Sequence, residues 1–393
     1  MKQFLTKCLV RKKEGDTLTS DVNNKVVHIS TVHHPMDPRI MLKECQSLAA
    51  CGYDVTLIAK KTENLPTKLN GVNITFIKKY NSRLLGMLLS PIEAYFKAKK
   101  MKASYYHFHD PELLPLARML KKSTNTVIYD IHEDYETGIV SRNYLTKPIR
   151  VFLSKVYKQV EKFTIGPLVI VLAEKYYKEK YPKGICILNY PTIGEKSIKK
   201  REEKDFSDNY RLLYTGNITE DRGALAHALL PAIDHHISIH LIGKCSRPLY
   251  HAMKDLAGDS AERLEVTGVG EFVTKDVIDK AYEEKWLAGV AIFPDSDHYR
   301  RKELTKFFEY MLAGLPIICS NFPKWKDFIE KYDCGLTVDP TNTKDIQSAI
   351  TYLKNNPDEA KRLGENGRHA IENELNWEVE ATKLESLYKT QQP

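Results

Sequence analysis

LTKFFEYMLAGLPIICS, Leu304 to Ser320, decides how this chain reads. The stretch opens polar and basic, runs as a short helix, stops at Gly314 and passes directly into a buried-strand run, Pro316 to Ser320. Glycine suits a left-handed helix cap, and Pro316 cannot continue a helix. Glu309 stands inside the helix between Phe308 and Tyr310, where plain packing has little use for a carboxylate. Arg300, Arg301 and Lys302 precede the helix, and a helix N-terminus beside cations is a ready anion site. The element is therefore expected to hold a nucleotide diphosphate.

Working outward, short apolar runs alternate with helical segments. On one side lie VVHIS (26–30), DVTLIA (54–59), SYYHF (104–108), TVIYD (126–130), LVIVLA (168–173) and ICILN (185–189). On the other lie RLLYTG (211–216), ISIHLIG (237–243), RLEVTG (263–268), AGVAIFP (288–294) and PIICS (316–320). Asp37-Pro38 and Asp110-Pro111 read as helix caps followed by Pro at the first helical position, and Gly52 as a matching stop. Strand–helix alternation implies parallel sheets covered by helices. The chain of 393 residues exceeds one core's usual reach. The expected architecture is α/β, with two doubly wound domains facing each other over a cleft. The expected divisions are a leader tail at 1–24, an N-terminal domain at 25–192, a Lys/Glu/Ser-rich linker at 193–209, a C-terminal domain at 210–375, and a last helix within 376–393 that packs back on the first domain.

Composition sets limits on function. A content of 42% hydrophobic and 28% charged residues is ordinary for a soluble globular protein. The longest apolar run, near Gly166 to Ala173, is far short of the ~20 residues a membrane span needs. The N-terminus lacks a secretory pattern. Seven scattered cysteines without a CxxC pair fit reduced thiols in a cytosol rather than a disulfide frame or zinc site. Residues 1–200 carry a net charge of +16 and the remainder −8. One half therefore suits an anionic surface. A nucleic-acid partner is disfavoured, because the basic half has no recognition motif.

Ligands of open α/β sheets bind beyond the carboxyl ends of the strands. In the second domain these positions are Gly216-Asn217 with Arg222, Gly243-Lys244, Gly268-Val269, Pro294-Asp295 and the helix from Thr305. The glycines let a ligand approach the backbone or simply make turns. Arg222, Lys244 and Lys306 are candidate phosphate partners. Glu309 either accepts ribose hydroxyls or pairs with Lys306 at i,i+3. In the first domain the candidates are His33, His34, Asp37 and Arg39, then His107 to Glu112 with His109, and His132 among the carboxylates of IHEDY (131–135). Asp37 and Asp110 also have a plain role as caps. The His107-Phe108-His109-Asp110 spacing does not argue for metal, and no metal site is expected.

Two helices carry apolar stripes amid cations. Ile149, Phe152, Val156, Val160 and Phe163 share one face, with Lys147, Arg150, Lys155, Lys158 and Lys162 around it. Leu84 to Leu89, followed by Tyr95 to Lys102, is similar. Such helices either pack on the sheet or bind an anionic membrane surface.

These fragments resemble a glycosyltransferase of family 4, with the two-domain arrangement called GT-B. The likeness runs from about Lys25 to Tyr388. It is carried by HHPMDPRIMLKECQSLAACGYDVTLIA (33–59), FHDPELLPLA (108–117), LNYP (188–191), YTGNITEDRG (214–223), KFFEYMLAGLPII (306–318) and CGLTVDP (334–340). Within the family the chain is most similar to bacterial enzymes of surface-polysaccharide assembly. The resemblance implies transfer of a sugar from a nucleotide-sugar donor to a hydroxyl of a saccharide or lipid-linked acceptor, with retained configuration, no metal and no cofactor. It also implies a cytosolic protein whose basic domain meets the inner membrane face. Glu309 matches the second of two family glutamates and would hold the ribose; Arg301 occupies the place of the first. The family's phosphate-binding Arg and Lys fall at Asn217 and Arg222. His132 matches the first-domain histidine that touches the transferred sugar, and His33-His34-Pro35 replaces the usual glycine pair. Two alternatives remain open: a nucleotide-sugar epimerase on the same fold, and an inactive donor-binding partner subunit.

Overall fold

The structure is a computed structural model and describes residues 24–62, 65–132, 135, 146–193 and 210–392. Apart from Asn24 and Ile193, the leader tail and the linker lie outside the described residues, as do Glu133 and Asp134 of IHEDY. The chain forms two compact units. One runs to Asn189 and takes back the segment from Trp377; the other is Tyr190–Asn376.

Unit 1 contains β1 (Lys25–Ile29), β2 (Asp54–Lys60), β3 (Lys68–Leu69), β4 (Val72–Ile77), β5 (Tyr105–Phe108), β6 (Thr126–Ile131), β7 (Val169–Leu172) and β8 (Ile185–Cys186). They lie in the order β3-β4-β2-β1-β5-β6-β7-β8, and only the β3–β4 pair is antiparallel. The central strands are largely apolar because each face is covered, with His28, His107 and Asp130 as buried exceptions. Val26, Tyr105 and Ile128 pack with Trp377, Leu384 and Tyr388 of the C-terminal helix, Trp377–Thr390. Val27, Tyr106 and Val127 pack on the opposite face with Ala94 and Ala98. The C-terminal helix is tied down by polar bonds as well. Trp377 Nε1 donates to Ser47 at 2.9 Å, and Glu380 accepts the Leu188 amide at 2.8 Å.

Helices α1 (Arg83–Met101) and α2 (Lys147–Thr164) belong to this unit. The stripe of α2 does not cover the sheet. Ile149, Phe152, Val156 and Phe163 are exposed, while Ser154, Glu161 and Thr164 are buried. Leu85, Met87, Leu88, Ile92 and Phe96 of α1 are exposed as well. Among the described residues no helix is long and apolar enough to cross a membrane.

Unit 2 is an all-parallel sheet of β9 (Tyr210–Thr215), β10 (Ile237–Cys245), β11 (Leu264–Val269), β12 (Ala288–Ala291), β13 (Ile317–Ser320) and β14 (Gly335–Val338). Its order is β11-β10-β9-β12-β13-β14. The chain therefore reverses direction across the sheet between β9 and β12, as it does between β1 and β5 in unit 1. Such switch points open a crevice for ligands. The opening stretch folds as read: α3 (Thr305–Leu312) is followed by Gly314 at φ 66° and then β13. α3 buries Lys306, Phe307, Phe308, Tyr310 and Met311 and packs on α4 (Pro357–Asn373).

Candidate functional site

At the β9–β12 switch point of unit 2 a cation lies buried among rings. The Lys306 Nζ sits 3.4 Å from the Tyr214 ring centre and 5.0 Å from that of Phe293, and among the described residues no hydrogen-bond partner reaches it. Burial, and then the charge of Arg222, push its pKa well below the ordinary lysine value; Glu309 opposes the shift. Arg222 is itself held in place, its Nε donating to the Tyr299 hydroxyl at 3.1 Å, which in turn donates to Asp221 at 2.8 Å. Two cations are thus fixed close together with no carboxylate bonded to Lys306.

Glu309 does not pair with Lys306. Its Oε2 accepts the Tyr282 hydroxyl at 2.9 Å, and that oxygen lies 2.7 Å from Thr215 Oγ1. Burial raises the Glu309 pKa, against the bond from Tyr282 and the charges of Lys275 and Lys306. Behind Lys306, His227 is fully buried and accepts the Ile292 amide on Nε2 at 3.0 Å. Burial, then the Lys306 charge, hold its pKa down at about 3. Tyr214, Tyr282, Tyr299 and His227 were not legible as site residues, because they converge from four separate elements.

Other candidates of unit 2 separate into different roles. A Cβ on Gly243 would meet the Gly216 carbonyl oxygen at 1.8 Å, and one on Gly268 would meet the Gly243 oxygen at 2.4 Å. Close strand-end packing therefore requires these two glycines, whereas Gly216 (φ 99°) faces open space. Lys244 is exposed and still within β10, which runs two residues beyond its expected end. Val269 is the last residue of β11. Asn217 is exposed and its carbonyl accepts the Tyr214 hydroxyl at 2.8 Å. Arg300, first read as part of the anion site, is forked onto Asp295. Arg301 and Thr305 are exposed at the approach to α3 and at its first turn.

In unit 1, Asp110 stands at the N-cap of the turn Pro111–Leu113, as read, but its side chain makes no capping bond. It reaches from the end of β5 to the loop after β1, accepting the Thr31 and Val32 amides, the Ser30 hydroxyl at 3.0 Å and His33 Nδ1 at 2.8 Å. Burial would raise its pKa, but the His33 bond and charge outweigh burial and leave it lowered. Asp37 does cap, its Oδ1 accepting the Arg39 and Ile40 amides at 2.9 Å each. Arg39 is buried in a two-pronged bond to Asp130, both contacts 2.9 Å. His132 is only one-tenth exposed, with Nε2 2.6 Å from Asp130 Oδ2 and 3.2 Å from His109 Nδ1. His109 is fully buried behind it, and the His33 ring lies 5.1 Å from that of His132. His34 is exposed in a turn, where it accepts the Met36 amide. His33, Asp110, His109, Asp130 and His132 are thus brought together, with Arg39 bonded to Asp130 from behind, whereas His34 and Asp37 stand apart in structural roles.

Residues 305–370, from the start of α3 through most of α4, match the family model described as glycosyl transferases group 1. Sucrose-phosphate synthase from Thermosynechococcus elongatus is similar in structure at TM-score 0.67 and 16% identity, over 93% of this chain and 98% of that one. An Anabaena protein, HepE, in complex with UDP gives TM-score 0.67 at 10% identity, over 93% and 100%. WaaG, described as a glycosyltransferase of lipopolysaccharide biosynthesis, gives 0.63 at 12%, over 92% and 99%. The fold is GT-B. Other structures of HepE hold UDP with glucose, and UDP-glucose. No curated protein matches the sequence. Within the GT-B frame, the group 1 match begins at the helix that carries Lys306 and Glu309.

Proposed function

We propose that this chain is a retaining glycosyltransferase that moves a sugar from a nucleotide-sugar to a hydroxyl of a lipid-linked saccharide, in assembly of a surface polysaccharide and without a catalytic metal. The observation that carries the reading is Lys306, a buried amine without a hydrogen-bond partner at the β9–β12 switch point. Burying an unpaired cation is costly unless an anion completes it. A diphosphate fits the pair formed with Arg222, and the first amides of α3 add to the attraction. The Glu309 carboxylate, steadied by Tyr282, is suited to accept ribose hydroxyls. HepE, with its UDP and UDP-glucose complexes, supports this class of donor.

As the bond between the anomeric carbon and the phosphate oxygen breaks, negative charge grows on the diphosphate. Lys306 and Arg222 are preorganised to stabilise that charge. The acceptor oxygen bonds to the same carbon from the face the phosphate leaves, and its proton passes to the departing phosphate oxygen. In unit 1, Asp130 engages His132 Nε2, so Nδ1 is the nitrogen left for the sugar or acceptor. The exposed faces of α1 and α2, set among cations, are read as the seat on the inner membrane surface where a lipid-linked acceptor is met.

Exposed Arg301, in the position of the first family glutamate, favours one second reading: a subunit that binds donor without turnover. Calorimetric titration with UDP, GDP and ADP tests the primary reading. One of them binds the wild type and loses affinity in Lys306→Met. Absence of binding by all three would overturn the assignment.

A further inference from the structure

Unit 1 encloses a further group of ionisable side chains that shares His109 with the His132 cluster and that the transfer reading leaves unused. His28 of β1 and His107 of β5 are directly paired in the parallel register, so both face the same side of the sheet. His109 follows β5, and Glu44 comes from the π-helical turn Ile40–Cys45. All four are fully buried. His28 Nδ1 lies 2.9 Å from His109 Nε2, and Glu44 Oε2 lies 3.9 Å from the first and 4.0 Å from the second. The nearest point equidistant from three atoms so spaced lies in their plane, about 2.1 Å from each, close to the length of a zinc bond to imidazole or carboxylate, so small shifts of the side chains toward the fourth ligand complete a tetrahedron. Among the described residues, His107 Nε2 is buried without a hydrogen-bond partner, as is Glu44 Oε2. One ligand atom from each of the four residues falls within 4.8 Å of the others.

We infer that His28, Glu44, His107 and His109 form a buried structural site for a divalent transition-metal ion, zinc above all. Three imidazoles and one carboxylate supply a complete tetrahedral set, and the donor types suit zinc. The surrounding bonds are those that orient metal ligands. His107 Nδ1 lies 2.9 Å from the Tyr388 hydroxyl. His109 Nδ1 faces His132 at 3.2 Å and Asp130 at 3.5 Å. Arg39 holds the other Glu44 oxygen at 3.1 Å. Left without an ion, the unpaired buried atoms are a penalty to folding that a bound ion removes. With all four positions filled by protein, the ion has no open place for substrate and its part is to pin β1, β5 and the Ile40–Cys45 turn together. Tyr388 extends that anchorage to the C-terminal helix.

The test is metal content of the full chain, made without a histidine tag in zinc-supplemented medium and dialysed against a weak chelator. Mass spectrometry should find about one zinc per chain. Glu44→Gln and His28→Gln should each lose most of it. His235→Ala with His236→Ala removes the two exposed histidines of the Asp234–His235–His236 group and should change nothing. If the buried-site variants fail to fold, cobalt-substituted wild type decides, its visible spectrum being that of a four-coordinate ion with nitrogen donors. Wild type without bound metal overturns the proposal. So does zinc retained by folded Glu44→Gln and His28→Gln, zinc lost with the surface histidines, or a six-coordinate cobalt spectrum.

Discussion

Exchange of Lys306 for methionine keeps the side chain out to Cε, with sulfur in place of one methylene, and removes the amine. Stability and binding should then move in opposite directions. In the free protein the amine is buried without a hydrogen-bond partner, which costs about 1–3 kcal/mol. The Tyr214 ring 3.4 Å away returns up to about 2 kcal/mol of that when the amine is charged. Lys306→Met should therefore stabilise unit 2 by about 1 kcal/mol, read as a rise in denaturation midpoint. Loss of one charge-assisted bond to a diphosphate costs about 1.5–3 kcal/mol, a ten- to 150-fold weaker Kd. The pH dependence has a definite sign. Burial and Arg222 depress the free-state pKa of Lys306, and a bound anion raises it. Below the free-state value affinity is flat. Above it, binding takes up a proton and affinity falls as pH rises towards the bound-state value. Calorimetry in two buffers of different ionisation enthalpy measures that uptake in wild type and its absence in Lys306→Met. A variant that is less stable yet binds the nucleotide as tightly would refute the reasoning and make Lys306 a packing residue.

Arg222→Ala should weaken diphosphate binding at least tenfold, since it removes a charge-assisted donor, while leaving the melting profile of unit 1 unchanged. Acidification should destabilise unit 2 through His227, whose pKa is about 3 when folded and about 6.5 unfolded. Its depressed value means stability is complete above about pH 6.5 and falls by roughly 3 kcal/mol by pH ~4.5. His227→Gln, which retains an acceptor for the Ile292 amide, should flatten that slope in denaturant melts. Gly243→Ala should cost at least about 1–3 kcal/mol, because the new methyl meets the Gly216 carbonyl at 1.8 Å; an unchanged midpoint would contradict the glycine argument. Phe152→Glu with Phe163→Glu should abolish sedimentation with anionic vesicles and leave nucleotide affinity intact. Equal sedimentation would remove the membrane face from the account.

Central strands were legible because parallel strands covered on both faces are mostly apolar, even where His28, His107 and Asp130 interrupt them. The pair β3–β4 was not, since VNITFI (72–77) is only partly buried near the sheet edge. ICILN pairs through two residues alone, Ile185–Cys186. Local patterns also mislead where partners are distant in sequence. Asp110 has the form of a cap, yet its bonds go to residues 30–33, about eighty positions away. Glu309 has Lys306 one turn away but bonds to Tyr282. The stripe on α2 reads equally as core or surface, and only the buried Ser154, Glu161 and Thr164 show which side faces in. Glu44 carried no signal at all, being one acid beside one lysine in an otherwise uncharged run from Ile40 to Ala50.

The central claim is that a sugar leaves a nucleotide on unit 2 and arrives on an acceptor. Purified protein incubated with UDP-, GDP- and ADP-sugars and a lipid-linked saccharide extract measures this most directly, by nucleoside diphosphate released alongside mass gained by the acceptor. The account predicts release that depends on acceptor, equals the sugar transferred, and disappears in Glu309→Ala. Release without acceptor glycosylation, or binding without any turnover, would contradict it.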